Sequence, residues 1–414
     1  MKRGILFCVV LIIAFSLVFV TGCQERETGP RLVYWSMWNE AEPQGQVIAR
    51  AAEAFTRETG IPVDINFNGR AIRMTLQPAL NAGETIDIFD EDIERVANMW
   101  GDHLLPLDEF ITRSFPTTGG RPYYQAVNGT LLNLARQLGN GSVRNIPYQP
   151  MAFVVMYNKD LFNRAGITTP PKNWYEMLDA AAKLRNIGVA AFTVDDAYMA
   201  ALFGYTINRI VGLNATLGMV ARNDFSGPQV LRFGEIWENM ARSGFITPES
   251  AANVFPQGQI NDFAAGRAAM YLNGTWLPNE IRGVAPNLRW GSFAFPAIDP
   301  MGDGPEANNF GSQSFGINRD TRFPDEAFQF VVWMTTGEWD VALAQESIGI
   351  PVAYDSRWPN QLLEAQSVVE NTTKRLPWAV GMEDNPEINA RIIANFSRLI
   401  RGDINAQQFA DAMR

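Results

Sequence analysis

The sequence predicts an α/β protein built in two parts, and three observations carry that reading. Strand-like and helix-like stretches alternate from residue 32 onward, the pattern of parallel β-α-β units. At 414 residues the chain is too long for a single hydrophobic core. The stretch 145–162 reads as a passage from one part to the other. Its prolines, Pro147 and Pro150, fix φ at about −65° and push their predecessors toward extended backbone, so it does not open as helix. Residues 153–157 then form an unbroken apolar run with the length and β-branched content of a strand buried on both faces. Asn158, Lys159 and Asp160 end that strand and begin a helix.

Taken in order, 32–35 reads as the first strand and 36–40 as the loop at its carboxyl end. After Pro43, the apolar Val47, Ile48, Ala51, Ala54 and Phe55 share one helical face, and Gly60 supplies a left-handed stop. Val63, Ile65 and Phe67 alternate with Asp64 and Asn66, a half-exposed strand. A second unit follows: a helix around 74–81, Gly83, a strand at 86–89, then Asp90, Glu91 and Asp92 and a helix leading to Trp100. Such units imply right-handed crossovers. Asn173 and Glu176 have capping-box spacing ahead of a helix carrying Met177, Leu178, Ala181 and Leu184. Residues 190–194 read as a strand that ends in Asp195, Asp196 and Tyr198. The stretch 289–299 is strand-like and runs into the loop 300–305. A helix at 324–335 and paired helices containing Ile388, Ile392, Phe396, Leu399 and Ile400 close the chain.

Composition narrows the classes of function. Lys2 and Arg3 precede an apolar run over 5–20, and Val20-Thr21-Gly22-Cys23 follows. That run is short for a membrane span, and the basic-apolar-small order is that of an export signal. The two cysteines are Cys8, inside the leader, and Cys23, so the body beyond them has no thiol for disulfides or cysteine-ligated metals. Residues 24–30 form a polar tether of about 25 Å at full extension. Without Lys2 and Arg3, 32 basic residues face 44 acidic ones, a net charge of −12. Such a body is repelled by phosphate backbones, which makes nucleic acid an unsuitable partner.

Three segments resemble the extracellular solute-binding proteins of the sugar-binding group, the maltose-binding-protein-like receptors of ABC importers. The first runs from Pro147-Tyr148 through Met156-Tyr157-Asn158-Lys159-Asp160-Leu161-Phe162 and Ala165-Gly166 to Pro170-Pro171-Lys172-Asn173-Trp174-Tyr175-Glu176. The second, 263–276, is a helix, Gly266, a small-residue strand with Met270, then Gly274 and Trp276. The third is Gly311-Ser312-Gln313-Ser314-Phe315-Gly316-Ile317-Asn318. Gly83, Asp87 and Asp90-Glu91 stand where the family has a similar run, and the likeness is loose between about 200 and 255. The four residues ending at Cys23 resemble a bacterial lipobox, whose cysteine is lipidated.

The resemblance implies a type II periplasmic-binding-protein clamshell: two lobes, each a mainly parallel sheet flanked by helices, joined by three hinge crossovers. Lobe 1 would be 31–147 plus 302–348 and lobe 2 152–294 plus 353–414. The hinges would lie near 147–152, 294–302 and 348–353, after a signal peptide at 1–22 and a lipidated cysteine with its tether at 23–30. It also implies a monomeric extracytoplasmic receptor that holds a carbohydrate between the lobes and delivers it to an ABC permease with its own ATPase. Contact with the membrane would run through the lipid on Cys23 alone, with no cofactor and no catalysis.

Ligands of open α/β sheets bind beyond the carboxyl ends of the strands. The loops there offer Trp38, Asn39, Glu40, Asp90, Glu91, Tyr148, Gln149, Asp196, Tyr198, Asn273, Trp276, Ser312 and Gln313, and the resemblance adds Trp378. Aromatic rings suit the apolar face of a sugar, while carboxylates and amides bond its hydroxyls, charge-assisted bonds being worth about 1.5–3 kcal/mol each. The same residues have plain structural readings. With eleven tryptophans in the chain, most belong to the core, and Asp90-Glu91-Asp92 suits a helix N-terminus. Arg70 and Arg73 read as solvated.

An anionic solute such as glycerol phosphate would require Arg or Lys in these loops, where none stands; a compatible solute is a further alternative. A glycoside hydrolase needs only two carboxylates, and nothing positive in the sequence favours it. His103 is the only histidine, which removes Ser-His-Asp triads and histidine-based zinc sites. The chain has no phosphate-binding Gly-x-x-x-x-Gly-Lys-Ser/Thr loop, so ATP hydrolysis falls to another subunit.

Overall fold

The computed structural model describes residues 29–414; the leader and Cys23 lie outside the described residues. Strand β1 (Leu32–Ser36) leads into helix α1 (Pro43–Thr59), strand β2 (Val63–Phe67) and helix α2 (Ile72–Asn81). Strand β3 (Ile88–Asp92) and helix α3 (Ile93–Trp100) follow. Proline at the first position of α1 needs no N–H partner there. Val47, Ile48, Ala51 and Phe55 are wholly buried, each large side chain contributing about 1.5–3 kcal/mol. Gly60, at φ 76°, ends the helix with its N–H on the Thr56 carbonyl at 2.9 Å. β1 pairs in parallel with β2 and with β3.

β3 begins two residues later than the apolar run suggests. Asp87 turns its carboxylate onto the β1 backbone, accepting from the Val33 N–H at 2.7 Å and the Thr321 hydroxyl at 2.5 Å. The strand therefore extends through Asp90 and Glu91, and Asp92 caps α3 by accepting from the N–H groups of Glu94 and Arg95.

Strand β4 (Asn145–Asn158) is 14 residues long, about 45 Å at strand rise. It joins the two halves of the sheet. Its first half pairs antiparallel with β8 (Ala307–Ile317), from Asn145↔Gly316 to Ala152↔Phe310. Its second half lies between β6 (Ala268–Gly274) and β7 (Trp290–Phe293), both antiparallel. The register breaks between Tyr148 and Pro150, where Gln149 adopts φ 43°. That break is how a strand accommodates Pro147 and Pro150: a bulge releases the ladder where an N–H is missing.

The strand order is β2-β1-β3-β8-β4-β6-β5, with β5 being Ala190–Thr193; β7 flanks β4, and β9 (Lys374–Leu376) flanks β8. Both ends of the sheet, β2-β1-β3 and β6-β5, are parallel. The centre is antiparallel because β4 and β8 carry the chain outward and back, so the sheet as a whole is mixed.

Helices α4 (Trp174–Asn186) and α5 (Asp196–Val211) flank the second half. The strand expected over 289–299 is confined to β7, and the chain then leaves the sheet beside Arg209 of α5. This arginine is completely buried and donates to the carbonyls of Phe295 at 3.1 Å and Ala307 at 2.6 Å and to Asn208 Oδ1. Burial lowers its guanidinium to about 10. It holds the start and end of the 295–307 return in place.

Helix α6 (Leu277–Ile281) follows Trp276, and α7 (Pro324–Thr335) and α8 (Gly337–Ser347) cover the first half. Helices α9 (Pro386–Arg401) and α10 (Ala406–Ala412) close the chain, with Ile388, Ile392, Phe396 and Leu399 fully buried. Among the described residues no helix is long and apolar enough to cross a membrane.

Candidate functional site

The carboxyl end of β1 places Trp38 at the meeting of the two halves. Its indole N–H donates to the Tyr148 hydroxyl at 2.7 Å, and that hydroxyl donates to Asp90 Oδ2. Asp90 Oδ1 accepts from the Met37 N–H at 2.9 Å. Tyr148 is stacked on Phe315, ring centroids 4.2 Å apart. Burial raises the Asp90 carboxyl to about 6, against the hydrogen bonds from Tyr148 and Met37. Asp90 and Tyr148 have no exposed surface. They stand behind Trp38 and orient it, so the expected ligand-facing role of this carboxylate gives way to a positioning one.

Alternation along β3 sends Glu91 to the opposite face from Asp90. There its buried carboxylate meets Arg73, at 2.5 and 3.1 Å, with Arg95 at 3.6 Å. Both oxygens are engaged away from Trp38, which corrects the expectation for Glu91 and the solvated reading of Arg73. Arg70 is likewise engaged: its guanidinium lies 4.6 Å from the Trp38 ring centroid and bonds both carboxylate oxygens of Glu42. Asn39 and Glu40 are exposed on the turn before α1. Asn39 bonds Glu42 and packs on Gly69, where a Cβ would sit 2.5 Å from its side-chain oxygen.

On the other side Phe153 of β4 is the hub of an aromatic cluster. Its ring lies 5.2 Å from Trp378, 5.5 Å from Tyr198 and 6.1 Å from Trp276. Gly274 is required beneath Trp276, because a Cβ there would meet the indole at 2.1 Å. Trp378 is held by its N–H on Glu383 at 2.7 Å, ahead of Ala379 and Val380, both left-handed at φ 45° and 54°. Tyr198 is buried, which pushes its hydroxyl pKa up. Asn273 is fully buried, accepting from the Gly274 N–H while its side-chain N–H group finds no acceptor among the described residues. Asp196 accepts from the Phe255 and Ala197 N–H groups and so anchors a loop instead of facing Trp276.

Between the two sides lies a crevice of about 50 Å³. Trp38, Gln44 and Gln313 line it from one side and Thr275, Trp276 and Asn279 from the other, with Gln149, Ser347 and Ile348 along its floor. Of the residues named from sequence, Trp38, Gln149, Trp276 and Gln313 line it directly. Asp90 and Tyr148 support Trp38; Trp378 packs on Trp276, with Phe153 linking Tyr198 to the same cluster. Ser312 is buried in β8. Sequence reasoning missed Gln44, Asn279, Ser347 and Ile348. Asn279 alone had a local signal, lying three residues after Trp276 at the start of a helix and so on the same face. At about 50 Å³ the crevice is well below the about 300–1,000 Å³ usual for a ligand pocket.

Two α/β lobes sharing a long strand, with a crevice between them at the strand ends, define a two-lobed binding protein. The chain belongs to the bacterial extracellular solute-binding protein family, whose model matches residues 39–340. A binding protein of Brucella abortus is 26% identical over 230 residues, 51% of each chain, so the chain spans about half the length of these curated relatives. The multiple sugar-binding protein of Streptococcus mutans is 23% identical over 278 residues, 64% of each chain. A glycerol-3-phosphate-binding periplasmic protein of Agrobacterium fabrum is 38% identical over 53 residues, 12% of each chain. Among solved structures, a solute-binding lipoprotein of Streptomyces coelicolor superposes with a TM-score of 0.75 at 18% identity, covering 94% of this chain and 98% of the other. A raffinose-bound solute-binding protein gives a TM-score of 0.68 at 18% identity, covering 92% and 97%.

Proposed function

We propose that this protein is a receptor that binds a neutral carbohydrate between its lobes and delivers it to an ABC-type permease in the membrane. One observation carries the reading: the crevice presents two indoles and several side-chain amides, and among the described residues no charged side chain lines it. Such a lining suits a sugar, whose ring faces are apolar and whose edge is hydroxylated. The relative that binds multiple sugars and the raffinose complex support the same class. The short segment shared with a glycerol-phosphate-binding protein favours an anionic solute. Among the described residues no cation lines this crevice to meet phosphate, and the nearby Arg70 is paired with Glu42, which puts that reading second.

The proposed lobes are 31–147 with 302–348 and 152–294 with 353–414, turning near 147–152, 294–302 and 348–353. Trp38, Gln149, Trp276 and Gln313 are the proposed ligand contacts, and Cys23 the proposed lipid anchor. Binding involves no bond-making; the sugar favours the closed form by its differential affinity for closed over open. Titration calorimetry with raffinose, stachyose, xylotriose and chitotriose tests the reading. Saturable binding with the sugar recovered intact is the expected result. New reducing ends would establish a hydrolase, and binding of sn-glycerol 3-phosphate in place of every sugar would establish the anionic alternative.

A further inference from the structure

Gln149, Asn279 and Gln313 all line the crevice, and the side-chain carbonyl of each is buried without a donor among the described residues. Buried acceptors are ordinarily satisfied, so three orphans around one space are groups kept for something that enters it. The direction of one amide is dictated by chemistry. Gln149 Nε2 lies 2.8 Å from Ser347 Oγ, and Ser347 Oγ lies 2.6 Å from the Leu343 carbonyl. A serine hydroxyl has one proton, and here it goes to Leu343. Ser347 can therefore only accept from Gln149, which turns the Gln149 NH₂ toward Ser347 and leaves its carbonyl without a donor. Gly349 makes room for this arrangement, since a Cβ there would lie 2.5 Å from Gln149 Nε2. The backbone is also committed to it: Gln149 and Ile348 are left-handed at φ 43° and 52°, a conformation that is an outlier for β-branched isoleucine.

We propose that the side-chain carbonyls of Gln149, Asn279 and Gln313 form a hydrogen-bond-acceptor subsite, with Gln149 oriented by Ser347, that takes an uncharged hydroxylated edge of the ligand and turns away phosphate or carboxylate. This inference rests on the sugar-receptor reading and adds to it the polarity of the contact. Three unpartnered carbonyl dipoles on residues around one space reward a group that donates and repel one that brings only lone pairs. Ser347 acts as a positioning residue, since it works through Gln149.

The test separates acceptor from donor. In the full chain, Gln149→Met and Asn279→Leu each weaken the best-binding sugar of the raffinose, stachyose, xylotriose and chitotriose panel about ten-fold. Gln149→Glu and Asn279→Asp keep an oxygen in place and stay within about three-fold of the parent. Ser347→Ala weakens binding in the parent but not in Gln149→Glu, because a carboxylate presents an oxygen whichever way it turns. Ligand-free melting temperatures show that each variant is folded. If the acidic variants lose as much affinity as Gln149→Met and Asn279→Leu, or if all four bind like the parent, the acceptor subsite is wrong while the sugar-receptor reading stands. If the parent binds sn-glycerol 3-phosphate and none of the sugars, both fail.

Discussion

The guanidinium of Arg282 donates to the main-chain carbonyl of Glu346 at 2.9 Å. Arg282 directly follows α6, in the wall that contains Trp276 and Asn279, and Glu346 lies in the last turn of α8 beside Ser347. The Glu346 carboxylate is held in turn by Arg50 of α1 at 2.5 Å. The two walls of the crevice are thus fastened at its rim. A small crevice with a fastened rim describes a closed form, which a ligand must first open and then replace with contacts of its own.

Removing that fastening shifts the balance between open and closed forms. The bond is exposed, so its contribution sits at the lower end of about 0.5–1.5 kcal/mol. Arg282→Ala is expected to lower the sugar dissociation constant about three-fold, because the ligand no longer has to undo this contact, and to increase the radius of gyration of the sugar-free protein in solution scattering. An unchanged radius together with unchanged affinity would show that this contact does not bias closure.

Asp90 gives stability a distinctive pH dependence. Its carboxyl is raised to about 6 in the folded protein, against about 3.9 in an unfolded chain. The native state therefore binds more protons between those values. The contribution of Asp90 is greatest below about pH 4 and is lost as pH rises through 6, amounting to roughly 2–3 kcal/mol over the range. The melting temperature of the parent minus that of Asp90→Asn is expected to fall steadily between pH 4.5 and 7. A flat difference would mean that Asp90 ionises as an ordinary carboxylate.

Gly274 is needed for space, since its own backbone is ordinary strand. Gly274→Ala drives a methyl group into the Trp276 indole. Overpacking of this kind destabilises by about 1–3 kcal/mol, and the displaced indole no longer lines the crevice. Both a lower melting temperature and weaker sugar binding are expected from calorimetry on the same sample. Loss of stability with full affinity would remove Trp276 from the binding surface.

Much of the architecture is legible in local pattern. The spacing of Val47, Ile48, Ala51 and Phe55, the stop at Gly60 and the alternation over 63–67 appear in the structure as read. The helices at 324–335 and after Asn173 also stand where their signals place them. What failed depends on partners distant in sequence. Asp87 shortens the start of β3 because Val33 and Thr321 take its carboxylate. Glu91 turns from the crevice because Arg73 waits on the other face. Pro147 and Pro150 are admitted to a strand because β4 bulges at Gln149 where it pairs with β8. Ser347 has no local mark at all; its role exists only once Gln149 and Leu343 meet it.

The two tryptophans beside the crevice are predicted to differ in how they act. Trp276 lines the crevice, whereas Trp378 packs against Trp276 at 6.1 Å with its indole N–H committed to Glu383. A tryptophan that covers a ligand face typically contributes about 2 kcal/mol or more, so Trp276→Ala should weaken sugar binding about thirty-fold or more. Trp378→Ala removes only the support of that ring, and a several-fold loss is expected. The same asymmetry should appear in fluorescence: the ligand-induced change in tryptophan emission should largely vanish in Trp276→Ala and persist in Trp378→Ala. The reverse order of effects would move the sugar platform to the loop after β9 and require the crevice to open toward Trp378, away from Trp38.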